Sequence, residues 1–155
     1  MIARDGFAYH YTIGSRVSSI LADGVIDLAT GRVPAHVKAA VWLTTSEDFE
    51  PTARKMDRQG RILTVDQMQR EDGVYRIAVD AERFPLTWAD YCRQSGDSRS
   101  MLRRLERCAV TQGSDIGSWR LSFAPIMEAD WLRLERLAGG VWIVDWDACS
   151  ERKAS

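Results

Sequence analysis

An α+β domain, with a twisted sheet of mainly antiparallel or mixed strands and two or three flanking helices, is the fold that this chain's hydrophobic patterning predicts. Three observations predict it. Residues 74–79 alternate cleanly, with Val74, Arg76 and Ala78 on one face and Tyr75, Ile77 and Val79 on the other. Residues 98–109 place Met101, Leu102, Leu105, Cys108 and Ala109 in one helical stripe behind a capping Ser98. Gly139-Gly140 joins two alternating segments, 131–137 and 141–146, because paired glycines supply the positive φ that a tight hairpin needs. Regular strand–helix–strand alternation is missing, which argues against a doubly wound parallel sheet.

The remaining elements follow in chain order. Residues 7–11 are aromatic and short, and read as a strand. Ser15 is placed to cap a helix whose Val17, Ile20 and Leu21 share a face, and Gly24 suits its left-handed end. Residues 25–28 read as an edge strand and 29–38, with Gly31 and Pro34, as a loop. Residues 39–44 are rich in β-formers and predict a strand. The charged, aperiodic 47–60 segment reads as a surface loop or a flap over a cleft, and 62–65 as a short strand or the start of a helical turn. A short helix is expected over 87–94 and a strand over 119–123, broken by Pro125.

Residues 1–149 are expected to form one globular domain and 150–155 a polar tail. A chain of 155 residues buries roughly 70% of its unfolded surface as a single domain. The 45% hydrophobic and 28% charged composition fits a soluble globule, and the net charge of −1 gives the whole molecule no polyanion-binding field. No apolar run reaches the roughly 20 residues of a membrane span, and the first six residues lack a signal-peptide core, so a cytoplasmic protein is expected. Cys92, Cys108 and Cys149 are odd in number and scattered, and read as reduced thiols. Six tryptophans (42, 88, 119, 131, 142 and 146) stand out as bulky core anchors.

Several chemistries have no support in the residue pattern. The glycines never gather at phosphate-loop or Rossmann spacing. Two histidines, His10 and His36, with dispersed cysteines make no zinc site, and no metal is expected. Arg99, Arg103, Arg104 and Arg107 lie mostly opposite the apolar stripe of their helix; they read as a solvated face, with a weaker case for nucleic acid.

The N-terminal third carries the sharper signal. His10 and Thr12 fall two apart on one strand, where an imidazole and a hydroxyl can hydrogen-bond ribose hydroxyls or an amide. Trp42 offers a flat ring for stacking a nicotinamide-sized group, with Thr44 projecting on the same side. His10-Tyr11-Thr12, then Ile20-Leu21-Ala22-Asp23-Gly24-Val25, then Val41-Trp42-Leu43-Thr44 follow in order over residues 7–46. That region resembles the ADP-ribosyltransferase superfamily, in its poly(ADP-ribose)-polymerase-like and diphtheria-toxin-like branch. In that family a His-x-Thr or His-x-Ser strand binds the NAD ribose, a helix ends near a glycine, and a Tyr-x-Ser-like strand follows.

The resemblance implies a split sheet and a cleft for NAD held by His10, Thr12, Trp42 and Thr44. It also implies ADP-ribose transfer to an unidentified acceptor, either a macromolecule (protein or nucleic acid) or water. The family carries a glutamate on a later core strand that stabilises the oxocarbenium-like state. The corresponding segment here, 119–123, holds no acid. Glu128 is the first substitute and Glu135 the second. The alternative reading is a non-catalytic nucleotide-binding or protein-interaction module on the same fold.

Overall fold

The computed structural model describes residues 6–148 and residue 150. The tail at 151–155, the first five residues and Cys149 lie outside the described residues. Six strands form the main sheet: β1 (Phe7–Ile13), β3 (Val41–Thr44), β4 (Val74–Asp80), β5 (Trp119–Ser122), β7 (Trp131–Ala138) and β8 (Val141–Asp147), in the order β5-β3-β1-β4-β7-β8. Every pairing is antiparallel. β2 (Val25–Ile26) does not extend this sheet as an edge strand. It pairs with β6 (Ile126–Met127) in a separate two-stranded ribbon. Among the described residues, four α-helical segments flank the sheet: α1 (Gly14–Asp23), α2 (Val65–Glu71), α3 (Trp88–Gln94) and α4 (Arg99–Gln112). That is one or two more than the patterning predicts, α2 being the addition. Thr64 nucleates α2 through a reciprocal capping box with Gln67, a local device that overrides the weak strand signal of 62–65.

β1, β4 and β7 form the continuous centre of the sheet, β1 and β4 pairing along seven residues from Phe7 opposite Asp80 to Ile13 opposite Val74. Alternation sorts their side chains. One face presents Ala8, Val41, Leu43, Ile77, Val79 and Leu134, sealed by Val17 of α1 and by Ile26 and Ile126 of the ribbon. The other presents Tyr9, Tyr11 and Ala78 at the centre and Trp119 and Leu121 at the β5 edge, the latter under Trp88 and Tyr91 of α3 and Leu102 and Ala109 of α4. Trp88, Trp119 and Trp131 are buried, whereas Trp42, Trp142 and Trp146 are half-buried.

The helix ends obey local chemistry with one exception. Thr87 caps α3 and Ser98 caps α4. Gly24 ends α1 at φ 66°, where any side chain is strained. Ser15, expected to cap α1, instead directs its backbone N–H (2.9 Å) and its Oγ (2.6 Å) to the two carboxylate oxygens of Asp72, 57 residues away. The start of α1 is thereby tied to the α2–β4 turn, and Ile13 occupies the capping position without a side-chain bond. Gly139 and Gly140 both take positive φ in the β7–β8 hairpin.

Candidate functional site

β1 and β3 are joined in register at one pair, Tyr9 opposite Thr44. Beyond it the ladder opens. His10 fills the seam with its ring: Nδ1 lies 3.0 Å from the Trp42 carbonyl oxygen, where a continuous sheet would offer a backbone N–H. A carbonyl can only accept, so Nδ1 carries the proton, and the neutral ring leaves Nε2 as an acceptor. Burial lowers the His10 pKa and the nearby Lys55 charge lowers it further, against the opposing effect of the Trp42 bond. The imidazole is therefore neutral at physiological pH.

A cleft of about 650 Å³ opens at this seam, within the size range of small-molecule sites. Strict alternation from the Tyr9–Thr44 pair assigns the Trp42 ring to the Tyr9 face and His10 to the opposite one. Because the strands part, both residues nevertheless border the same cleft. Its aromatic wall comes from β3, α3 and β5: Trp42 lies 4.8 Å from Tyr91, 6.1 Å from Trp88 and 5.8 Å from Trp119, centroid to centroid. Tyr9 and Tyr11 of β1 and the apolar row Met101, Leu105 and Cys108 of α4 complete it.

The 47–60 segment supplies the polar side. Its anchors include three bonds to backbone carbonyls of residues 46–55. Arg76 donates from Nη1 to the Glu47 carbonyl (2.7 Å), Tyr11 donates to the Ser46 carbonyl (2.8 Å), and Leu63 N–H donates to the Lys55 carbonyl (2.8 Å). Its Glu50 is buried and lines the cleft. One carboxylate oxygen, Oε1, accepts from the Thr52 N–H (3.2 Å), the Thr52 hydroxyl (2.7 Å) and the Ser114 hydroxyl beyond α4. The other, Oε2, has no hydrogen bond among the described residues. Lys55 also lines the cleft, its pKa lowered by burial and by the charge of Arg16, and it makes no ion pair among the described residues. An aromatic wall, a neutral imidazole acceptor, an unpaired cation and a half-satisfied carboxylate thus share one cavity.

The residues singled out by sequence divide. His10, Trp42 and Thr44 border the cleft. Thr44 is fully buried and its hydroxyl accepts from the Ser46 N–H at 3.0 Å. Thr12 keeps the alternation expected of it but is buried opposite Tyr75 and does not line the cleft. Neither acid considered as the family glutamate reaches the cleft. Glu128 sits at the end of α1, its N–H bonded to the Gly24 carbonyl (2.9 Å), beside a smaller cavity walled by Leu21, Trp131 and Trp146. Glu135 is buried in an ion pair with Arg76 on β4. Glu50 was hidden from sequence reasoning because it lies in an aperiodic charged segment; the Glu50-x-Thr52 spacing, in which a carboxylate caps its own turn, was the only local sign.

Among the described residues no group of three or more His, Cys, Asp or Glu side chains is gathered to hold a metal, and no helix is long and apolar enough to cross a membrane. Cys92 and Cys108 are free thiols. No family model, curated protein or solved structure matches the chain.

Proposed function

We propose that the cleft binds NAD and that the protein is an ADP-ribosyltransferase-like enzyme, with Glu50 in the charge-stabilising role. The observation that carries this reading is the parting of β1 from β3 at Tyr9–Thr44. It leaves the His10 imidazole, the Trp42 indole and the free oxygen of Glu50 around one cavity. His10 Nε2 accepts from a ribose hydroxyl or the nicotinamide amide. The Trp42 ring covers the nicotinamide, and Thr44 limits the depth of the pocket beneath it. Lys55 offers its ammonium to the pyrophosphate; a desolvated cation without an ion pair gains most from such a partner.

In this reading the bond between ribose C1 and the nicotinamide nitrogen breaks and nicotinamide leaves with the electron pair. Positive charge develops on the ribose, and Glu50 Oε2 stabilises it. A nucleophile on the acceptor then bonds to C1 and gives up its proton. Release of free nicotinamide from NAD, followed by chromatography, tests the reading: the wild type should release it and Glu50→Gln should not.

One observation favours a second reading, a nucleotide-binding module without turnover. β5 carries no acid, and Glu128 and Glu135 stand outside the cleft. NAD binding without nicotinamide release from the wild type identifies that case.

A further inference from the structure

β8 is the outermost strand at one end of the main sheet, and among the described residues nothing pairs with its free edge. The sheet's other end is closed. Leu86 bridges to Leu121 of β5, the Leu121 N–H reaching the Leu86 carbonyl at 3.1 Å, and Pro125 follows soon after. The far half of β8 is protected as well. Its pairing steps from Glu135 opposite Val144 to Leu134 opposite Trp146, which bulges Asp145 out of register. Asp145 pairs with Arg136 at 3.4 Å and Asp147 with Arg133 at 3.0 Å. Bulges and edge charges are the devices that keep a sheet edge from pairing with another chain.

The near half has none of them. Residues 138–144 contain no charge and no proline, and Val141, Ile143 and Val144 are 63%, 41% and 46% exposed. Trp142 between them is already packed, with the Arg76 guanidinium carbon 4.3 Å and the Tyr11 ring 5.7 Å from its ring centroid, so covering it orders little that is free. The open stretch is complementary to itself. In a two-fold antiparallel pairing, residues of one face lie opposite each other only when some residue meets its own copy. With Trp142 on the axis, Val141 lies opposite Ile143 of the second copy on one face, and the two Trp142 rings meet on the other. Every such pair is apolar, and aromatic and β-branched pairs are those that stabilise a ladder. Moving the axis to Ile143 sets Val141 against Asp145, and moving it to Val144 runs into the bulge. Moving it to Val141 sets the turn glycines against Trp142 and Ile143. A net charge of −1 leaves little repulsion between copies.

We propose that residues 141–144 of β8 pair antiparallel with the same residues of a second copy, Trp142 on the two-fold axis, so that one sheet runs through a homodimer. An edge this short buries less than the roughly 1,200 Å² of a standard interface. The dimer is therefore concentration-dependent, with a dissociation constant of about 1 μM to 1 mM. Sedimentation equilibrium of the full chain in reducing buffer, across that range of concentration, measures it. Val141→Lys and Ile143→Glu, each alone, should weaken dimerisation at least about tenfold, with the circular dichroism of the folded wild type. An equimolar mixture of the two variants should dimerise as the wild type does. In the mixed dimer the new lysine faces the new glutamate, and the second pair is the native Val141 with Ile143.

A wild type that stays monomeric throughout overturns the proposal. A dimer that neither substitution weakens overturns it too, by placing the interface elsewhere. Tighter dimerisation of Val141→Lys alone would set position 141 against Asp145, and a mixture that fails to recover would separate positions 141 and 143; either result rejects the Trp142-centred pairing. The proposal is independent of what the cleft binds.

Discussion

The Nδ1 atom of His10 lies 3.0 Å from the carbonyl oxygen of Trp42, so a side chain of β1 completes the hydrogen bonding of β3 where the two strands part. This bond fixes the tautomer, and it makes the neutral ring both a structural strut and an acceptor facing the cleft. Because burial lowers its pKa, the folded state disfavours the protonated ring relative to the unfolded chain. The unfolded chain therefore binds more protons below the ordinary value of 6.5, and stability rises with pH through that window. Stability should be fully present above 6.5 and decline as pH falls towards the depressed folded value. Thermal melts from pH 4.5 to 8 check this; His10→Gln should flatten that part of the profile, and a wild-type slope in the variant would assign the effect elsewhere.

Arg76 and Glu135 form a second buried relationship, and it holds the cleft's polar side in place. The guanidinium carbon lies 4.1 Å from the Tyr9 ring centroid and 4.3 Å from that of Trp142, and the group also reaches the Glu47 carbonyl. Arg76→Met should cost about 3 kcal/mol, because it leaves the buried Glu135 carboxylate with only the longer contact to Arg133 at 3.6 Å. Arg76→Met/Glu135→Met should recover part of that loss without restoring the tether to Glu47. Limited trypsin digestion should then cut at Arg54, Lys55 or Arg58 faster in both variants than in the wild type. Equal cutting in all three proteins would show that the tether is not needed.

The two acids make opposite predictions. Glu50→Gln keeps the Thr52 and Ser114 contacts available while removing the charge. It should lower nicotinamide release about 10²–10³-fold and leave NAD affinity within a few-fold. Glu128→Gln, at the far end of α1, should leave both unchanged. Steady-state release assays on the two variants decide which carboxylate acts.

Gly24 tests the join between α1 and the ribbon. Its φ is 66°, and an added Cβ would come within 2.9 Å of Glu128 Oε2. Gly24→Ala should cost about 1 kcal/mol or somewhat more, read by urea denaturation. Glu128→Ala/Gly24→Ala should recover only the steric share, because the backbone strain remains.

Local patterns made much of the fold legible. Ser98 with the stripe from Met101 to Ala109 marked α4, Gly139-Gly140 marked the hairpin, and the alternation of 74–79 marked β4. Each signal lies within a dozen residues. What stayed hidden is non-local. Asp72 takes over Ser15 from 57 residues away, Ser114 completes the shell of Glu50 from 64 residues away, and β2 finds its partner across a hundred residues. The opening of β1 from β3 has no sequence mark, although it decides whether His10 and Trp42 share a cavity. Nothing in 131–137 reveals that Arg76 will lie opposite Glu135 and pair with it in the interior.

Calorimetric titration of the protein with NAD, for the wild type and for His10→Ala, tests the central claim most directly. The account predicts saturable one-to-one binding to the wild type. His10→Ala should bind at least about tenfold more weakly, as expected when a buried hydrogen-bond partner is removed, while its circular dichroism stays that of the folded wild type. No saturable heat from folded wild-type protein, or equal affinity in the two, would contradict it.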